Sequence, residues 1–178
     1  SNVILYKNGV KHMVMKKHLY SNPDEKVEVD KIIDSGNVKI VNGWAPKILN
    51  DDDVTMERSD YINLIATNEK VVPTRNFGHL LWKQSDYMNV IPYIEIIDIK
   101  DEDTYEAVVV SDGVLDILVD LDEIYPIINS KENQSEELVK FSECRWRKGW
   151  YYIMDGKTVG RNEYMGTDDI TAIYCIFK

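Results

Sequence analysis

The sequence has little cysteine, no long apolar run and no excess of positive charge. Its two cysteines, Cys144 and Cys175, are far apart and form no CxxC pair, which argues against a disulfide scaffold or a zinc ribbon. Cys175 lies in an apolar run, so we expect a buried structural thiol there. No apolar stretch approaches the roughly 20 residues that cross a bilayer. Residues 1–6 also lack the layout of a signal peptide, so we expect an intracellular, cytoplasmic location.

The chain is acidic, with 31 Asp and Glu against 21 Lys and Arg and a formal net charge of −10. Nucleic acid and anionic membranes carry the same sign of charge, which argues against both as main partners. Most carboxylates are expected to be solvated at the surface. Residues 47–60, which include three consecutive aspartates, are expected to form an exposed, poorly ordered loop. Carboxylates that converge would instead hold a divalent cation.

Strand and helix signals follow each other without strict βαβ alternation, which indicates an α+β fold. Asn8-Gly9 between two apolar segments predicts a β-hairpin. Asn22 followed by Pro23 predicts the start of a helix that ends near Gly36. Further strands are predicted at residues 38–41, 61–66, 90–96, 105–110 and 169–177, and helices at 114–118, 121–129 and 136–147. Residues 144–152 mix aromatic and basic side chains and are expected to pack where the last helix ends.

Two of the predicted strands each adjoin an aspartate. The strand at residues 107–110 leads into Asp112 and Gly113, and Asp168 opens the final strand. Carboxylates at the ends of neighbouring strands could share Mg²⁺ or Mn²⁺. Asp116, one helical turn after Asp112, could face the same pocket. By spacing alone, an ordinary turn at Asp112 and a solvated strand end at Asp168 remain open as alternatives.

Several segments resemble the type 2C family of metal-dependent serine/threonine protein phosphatases. Residues 108–118 resemble its signature, in which an apolar strand leads into Ser-Asp-Gly-x-x-Asp-x-Leu. Residues 168–173 resemble its closing Asp-Asn-Ile-Thr motif, with Asp169 in place of Asn. Residues 74–79 are similar to its Ser/Thr-Arg-x-x-Gly-Asp motif, with His79 in place of Asp.

Two weaker segments complete the resemblance. Residues 90–94 resemble the valine and proline that precede a family strand, and residues 18–26 resemble a stretch that follows an Asp, where Lys17 stands instead. The order and spacing of these segments agree with the family over nearly the whole chain.

The resemblance implies a β-sandwich of antiparallel sheets flanked by helices. It implies that Asp112 and Asp168 bind a binuclear Mg²⁺ or Mn²⁺ centre, and that Asp116 is an accessory ligand for a more weakly held ion. The implied reaction is hydrolysis of phosphoserine and phosphothreonine in a phosphoprotein substrate by a metal-activated water. No catalytic residue other than these ligands is expected in this chain.

Ser1 aligns within an early strand of the family pattern, and the family's Asp-Gly-His-Gly motif and phosphate-binding arginine are not found. We therefore expect residues 1–178 to form a single partial domain that lacks its N-terminal part. Such a chain would have little activity alone, and uncovered sheet edges would favour self-association.

Two alternatives stay open. The first is a catalytically inactive pseudophosphatase or scaffold that binds a protein partner, which the departures at Lys17, His79 and Asp169 favour. The second is a divalent-metal-binding module without phosphatase ancestry, and the acidic composition is the feature that favours it. His12, His18 and His79 have no metal-ligand spacing and are expected to be surface or packing residues.

Overall fold

The computed structural model describes residues 2–16, 18–74, 91–129, 132–162 and 168–177. The chain divides into two compact units. Unit 1 comprises Ser1–Lys16, Pro46–Glu57 and Asp98–Lys178, and unit 2 comprises Lys17–Ala45 and Arg58–Ile97.

The strands are β1 (Asn2–Lys7), β2 (Val10–Val14), β3 (Val38–Ile48), β4 (Asp53–Leu64), β5 (Glu69–Val71), β6 (Tyr105–Val110), β7 (Trp150–Met154), β8 (Lys157–Asn162) and β9 (Ala172–Phe177). The helices are α1 (Pro23–Ile33), α2 (Asp112–Leu115), α3 (Ile124–Asn129) and α4 (Gln134–Arg147), and a 3₁₀ turn spans Leu121–Glu123. None of the described helices is long and apolar enough to span a membrane.

In unit 1, an antiparallel sheet has the strand order β2-β1-β6-β9. The predicted hairpin between β1 and β2 is confirmed, because Asn8 and Gly9 both have positive φ, as a tight hairpin turn requires. One face of the sheet packs against the helices of unit 1. The buried residues of this core include Ile4, Tyr6, Val108, Val110, Val114, Ile117, Ile124, Ile128, Leu138 and Trp146. This packing fixes the position at which β6 ends.

A second group of strands in unit 1 contains the turn between β3 and β4 together with β7 and β8. Strand β4 pairs with β7 in parallel at Asp53 and Val54, and β7 pairs with β8 in an antiparallel hairpin. Ile48, Val54 and Trp150 form a small buried cluster between them. The prediction of a poorly ordered loop at residues 47–60 was therefore wrong, because these residues form two paired strands and a tight turn.

Unit 2 contains α1 and the remaining parts of β3, β4 and β5. The predicted start of α1 is confirmed, since the Asn22 side chain accepts a hydrogen bond from the Asp24 N–H at 3.1 Å and Pro23 follows it. Apolar residues of α1 and the three strands form its core, namely Val29, Val38, Ile62, Leu64 and Val71.

The expected α+β fold with mostly antiparallel sheets is confirmed. Two further local predictions were wrong. Residues 91–100 form no strand, and Ile94 and Ile96 are 73% and 86% exposed. Cys175 is exposed, because β9 ends the described sheet and its outer face, which also carries Ile173 and Phe177, is largely uncovered.

Candidate functional site

The end of β6 leads directly into the short helix α2. Ser111 is in an extended conformation before the helix, and the Asp116 N–H donates to the Asp112 C=O at 2.8 Å. Val114 and Ile117 are fully buried, whereas Asp112 and Asp116 are exposed. The apolar side of this turn thus faces the core, and the two aspartates lie one helical turn apart at the surface.

Ser111 joins this turn to the segment that carries Asp168. Its hydroxyl donates to the Asp169 C=O at 2.7 Å and accepts from the Thr171 N–H at 2.9 Å. The Ser111 N–H also donates to the Thr171 C=O at 3.0 Å. Three hydrogen bonds of one residue therefore fix residues 169–171 beside the end of β6.

Gly113 makes this close approach possible. A Cβ atom at this position would lie 2.5 Å from the Asp169 carbonyl oxygen and 3.0 Å from its carbonyl carbon. Both atoms belong to the backbone, so neither could move away as a flexible side chain would. The sequence places glycine where two backbones must touch. We call residues 111–116 and 168–171 together the aspartate rim.

The chemistry of the rim suits a hard divalent cation. Asp112, Asp116 and Asp168 provide carboxylate oxygens at the surface, and Mg²⁺ and Mn²⁺ prefer oxygen ligands. The Asp168 Oδ1 accepts from the Asp169 N–H at 2.7 Å. Within the described ranges, no group of three or more His, Cys, Asp or Glu converges as a complete ion site. The assignment of Asp112, Asp168 and Asp116 as ligands stays a prediction.

Sequence reasoning missed the contribution of α4 to this turn. The Trp146 Nε1–H donates to the Gly113 C=O at 2.6 Å, and the Arg145 guanidinium donates to the Ile117 C=O at 2.8 Å. Both side chains are buried. A tryptophan on the apolar side of a helix needs a partner for its indole N–H, and this requirement was the available signal.

Two other segments of the family resemblance meet in unit 2. The Thr74 N–H donates to the His18 C=O at 2.8 Å, and the buried Glu25 carboxylate contacts both the Thr74 hydroxyl and the His18 ring. His18 is thus a packing residue, as expected. The predictions for Lys17, Arg75, Val90 and His79 lie outside the described residues.

Tyrosines pack around the Glu106 carboxylate, which lies near the start of β6. The Tyr125 and Tyr174 hydroxyls both donate to Glu106. Burial and this negative charge raise the pKa of Tyr174, and burial with nearby Asp122 and Glu106 raises the pKa of Tyr6 to about 12. The Tyr125 and Tyr174 hydroxyls are therefore protonated donors to Glu106 at neutral pH, whereas the buried Tyr6 hydroxyl has no hydrogen-bond partner among the described residues.

Comparison with curated proteins and with solved structures found no match. A family model described as protein phosphatase 2C matches residues 1–152. The match covers most of the chain and includes Asp112, Asp116, Arg145 and Trp146, whereas Asp168 lies beyond it. The Ser111 and Asp169–Thr171 segments contact each other in unit 1, Thr74 contacts His18 and Glu25 in unit 2, and the matched region contains the turn at Gly113. The chain belongs to the protein phosphatase 2C family.

Proposed function

We propose that this chain contributes part of a metal-dependent centre that hydrolyses phosphoserine and phosphothreonine in proteins. In this proposal, Asp112 and Asp168 bind Mg²⁺ or Mn²⁺, and Asp116 is an accessory ligand. The observation that supports it is the contact of the Asp112 and Asp168 segments, which Ser111 joins by three hydrogen bonds and which Gly113 alone permits. Membership of the family supplies the reaction class.

Each residue of the rim has a distinct part in this proposal. The Asp112 and Asp168 carboxylates bind the ion. Because both side chains are exposed, the free protein does not bear the free-energy cost of burying two unpaired charges. Ser111 and Gly113 hold the two segments at a fixed separation. Divalent ions bound there would lower the pKa of a water molecule and neutralise charge on the phosphoryl group. Hydrolysis by water needs no phosphoenzyme, so no nucleophilic side chain is required.

The test is Mn²⁺ binding by isothermal titration calorimetry, paired with hydrolysis of a phosphothreonine peptide. The variants are Asp112→Asn and Asp168→Asn. We expect each to raise the Kd for Mn²⁺ at least about tenfold, since ligand loss should exceed the effect of losing an outer partner. Asp155→Asn is the matched control. Asp155 is an exposed aspartate with positive φ in the β7–β8 turn, a conformation that asparagine also adopts.

The outcomes decide the ligand assignment. Loss of Mn²⁺ binding in the two rim variants, with binding retained in Asp155→Asn, supports the ligand assignment. Equal affinity in all four proteins overturns it. Mn²⁺ binding without peptide hydrolysis is the result expected of residues 1–178 alone, and it supports the ligand assignment without separating a partial catalytic domain from a pseudophosphatase.

A further inference from the structure

Two adjacent side chains at the end of α4 contact the turn that carries Asp112 and Asp116. The Trp146 Nε1–H donates to the carbonyl of Gly113 at 2.6 Å, and the Arg145 Nη1 donates to the carbonyl of Ile117 at 2.8 Å. Gly113 directly follows Asp112, and Ile117 directly follows Asp116. Each anchored carbonyl is therefore next to one candidate ligand.

The Gly113 carbonyl lies in the last turn of α2, and the Ile117 carbonyl follows the end of that helix. Helix α2 has four residues and ends at Leu115, with Asp116 as its C-cap. Carbonyls in the last turn of a helix have no partner within the helix. Helix α4 supplies the donors, and the Asp112–Asp116 turn is consequently held from the core side at both ends.

The two donors are themselves rigidly held. Arg145 and Trp146 are 6% and 8% exposed. The Arg145 guanidinium binds both Glu123 carboxylate oxygens, at 2.8 and 3.0 Å, and lies 4.6 Å from the Phe141 ring centre. It also contacts Asp51. A planar guanidinium with this many partners has little rotational freedom.

We propose that Trp146 and Arg145 are positioning residues that set the direction of the Asp112 and Asp116 carboxylates for a divalent cation. The ion itself rests on the proposed function, whereas the anchoring of the turn rests on the contacts above. Outer partners that orient a metal ligand contribute about 10- to 100-fold to affinity in known sites. We expect Trp146 and Arg145 to change the metal affinity by the lower end of that range, because they bond to the backbone next to the ligands and not to the ligand side chains.

The main test compares Trp146→Phe with Trp150→Phe. Trp146→Phe removes the donor to Gly113 and keeps a large apolar ring. Trp150 is also buried, and its Nε1–H donates to a backbone carbonyl, that of Arg145, at 3.2 Å. Trp150→Phe therefore removes the same kind of hydrogen bond without touching the turn. We expect Trp146→Phe to raise the Kd for Mn²⁺ about tenfold and Trp150→Phe to leave it within about twofold.

A second variant and a metal-free measurement complete the test. Arg145→Lys keeps the positive charge beside Glu123 but loses the planar fork, and we expect the Kd for Mn²⁺ to rise about threefold. Hydrogen exchange reports the turn directly, since the Asp116 N–H donates to the Asp112 C=O at 2.8 Å. Trp146→Phe should accelerate exchange at the Asp116 amide, and Trp150→Phe should not.

Each result decides something. If Trp146→Phe keeps the wild-type Mn²⁺ affinity and Asp116 protection, the positioning role is overturned. If both tryptophan variants weaken Mn²⁺ binding equally, Trp146 acts through stability alone, and the role is again overturned. If the wild-type chain binds no Mn²⁺, the proposed function fails for this chain, and the exchange data still decide whether α4 anchors the turn.

Discussion

The aspartate rim and the acidic turn at residues 51–53 are both rich in aspartate, and both lie in unit 1. In the acidic turn, Arg145 contacts Asp51, Lys148 lies 3.6 Å from Asp52, and the Asn50 side chain accepts from the N–H groups of Asp52 and Asp53. At the rim, neither Asp112 nor Asp168 pairs with a lysine or arginine within the described residues. The same residue type therefore has two different electrostatic surroundings.

This contrast distinguishes aspartates with a basic partner from aspartates that, under the proposed function, would bind a cation. Asp51 and Asp52 are exposed and gain little from their ion pairs, whereas the buried Arg145 guanidinium needs the compensating charge of its partners. Asp112 and Asp168 have no basic partner among the described residues, and under the proposed function a divalent ion would supply the compensating charge. The comparison predicts opposite responses of the two regions to substitution and to metal.

Of the substitutions considered, Arg145→Met is expected to lower the free energy of unfolding most. Methionine keeps an apolar stem beside Phe141 but removes the donor to the Ile117 carbonyl and the positive charge beside Glu123, which then keeps only the Val119 N–H among the donors described here. We expect the free energy of unfolding to fall by about 3 kcal/mol, measured by urea denaturation without metal.

Lys140→Met is the control for that experiment. Lys140 pairs with Glu136 at the surface, where both side chains are 56% exposed, so its loss should change the free energy of unfolding by less than about 0.5 kcal/mol. Equal effects of the two substitutions would mean that the acidic turn is as weakly held as any solvated carboxylate, and the contrast with the rim would disappear.

Gly113→Ala is expected to lower the free energy of unfolding by an intermediate amount. The added methyl group would meet the Asp169 backbone at 2.5 Å and force apart the two segments of the rim. We expect the free energy of unfolding to fall by about 2 kcal/mol, and stabilisation by added Mn²⁺ to be lost. Both are measured by thermal denaturation with EDTA and with Mn²⁺.

Gly160→Ala provides the matched control, because among the described residues no atom other than those of its chain neighbours lies within 4 Å of the Cβ position at Gly160 in β8. Wild-type stability in Gly113→Ala would show that residues 168–171 do not rest against the turn. The geometric basis of the site would then be lost.

The sequence predicted those features that neighbouring residues determine. The turn at Asn8-Gly9 and the helix start at Asn22-Pro23 depend on local backbone chemistry, and the structure confirms both. The approach of Asp112 to the Asp168 segment was expected from the family resemblance, and Gly113 provides its physical reason.

Features that depend on distant partners were not predicted. Arg145, which contacts Asp51 in the acidic turn, lies 94 residues further along the chain, and the anchor of Gly113 is Trp146, 33 residues away. The exposure of Cys175 follows from the edge position of β9, which no local pattern reveals. Long-range pairing of this kind depends on the assembled fold, which is why local signals could not identify it.

The smallest effect, and the most direct test of the comparison, is the pair Asp168→Asn and Asp52→Asn. Without metal, Asp168→Asn lowers the negative charge of the rim while its Oδ1 can still accept from the Asp169 N–H, so stability should rise by about 0.3 kcal/mol. Asp52→Asn weakens the contact with Lys148, so stability should fall by about the same amount.

Excess Mn²⁺ should then stabilise the wild type and Asp52→Asn far more than Asp168→Asn, because a ligand stabilises only the proteins that bind it. Parallel urea midpoints in EDTA and in Mn²⁺ measure both differences. Shifts of the same sign in EDTA, together with equal stabilisation of all three proteins by Mn²⁺, would show that the two acidic segments do not differ in kind.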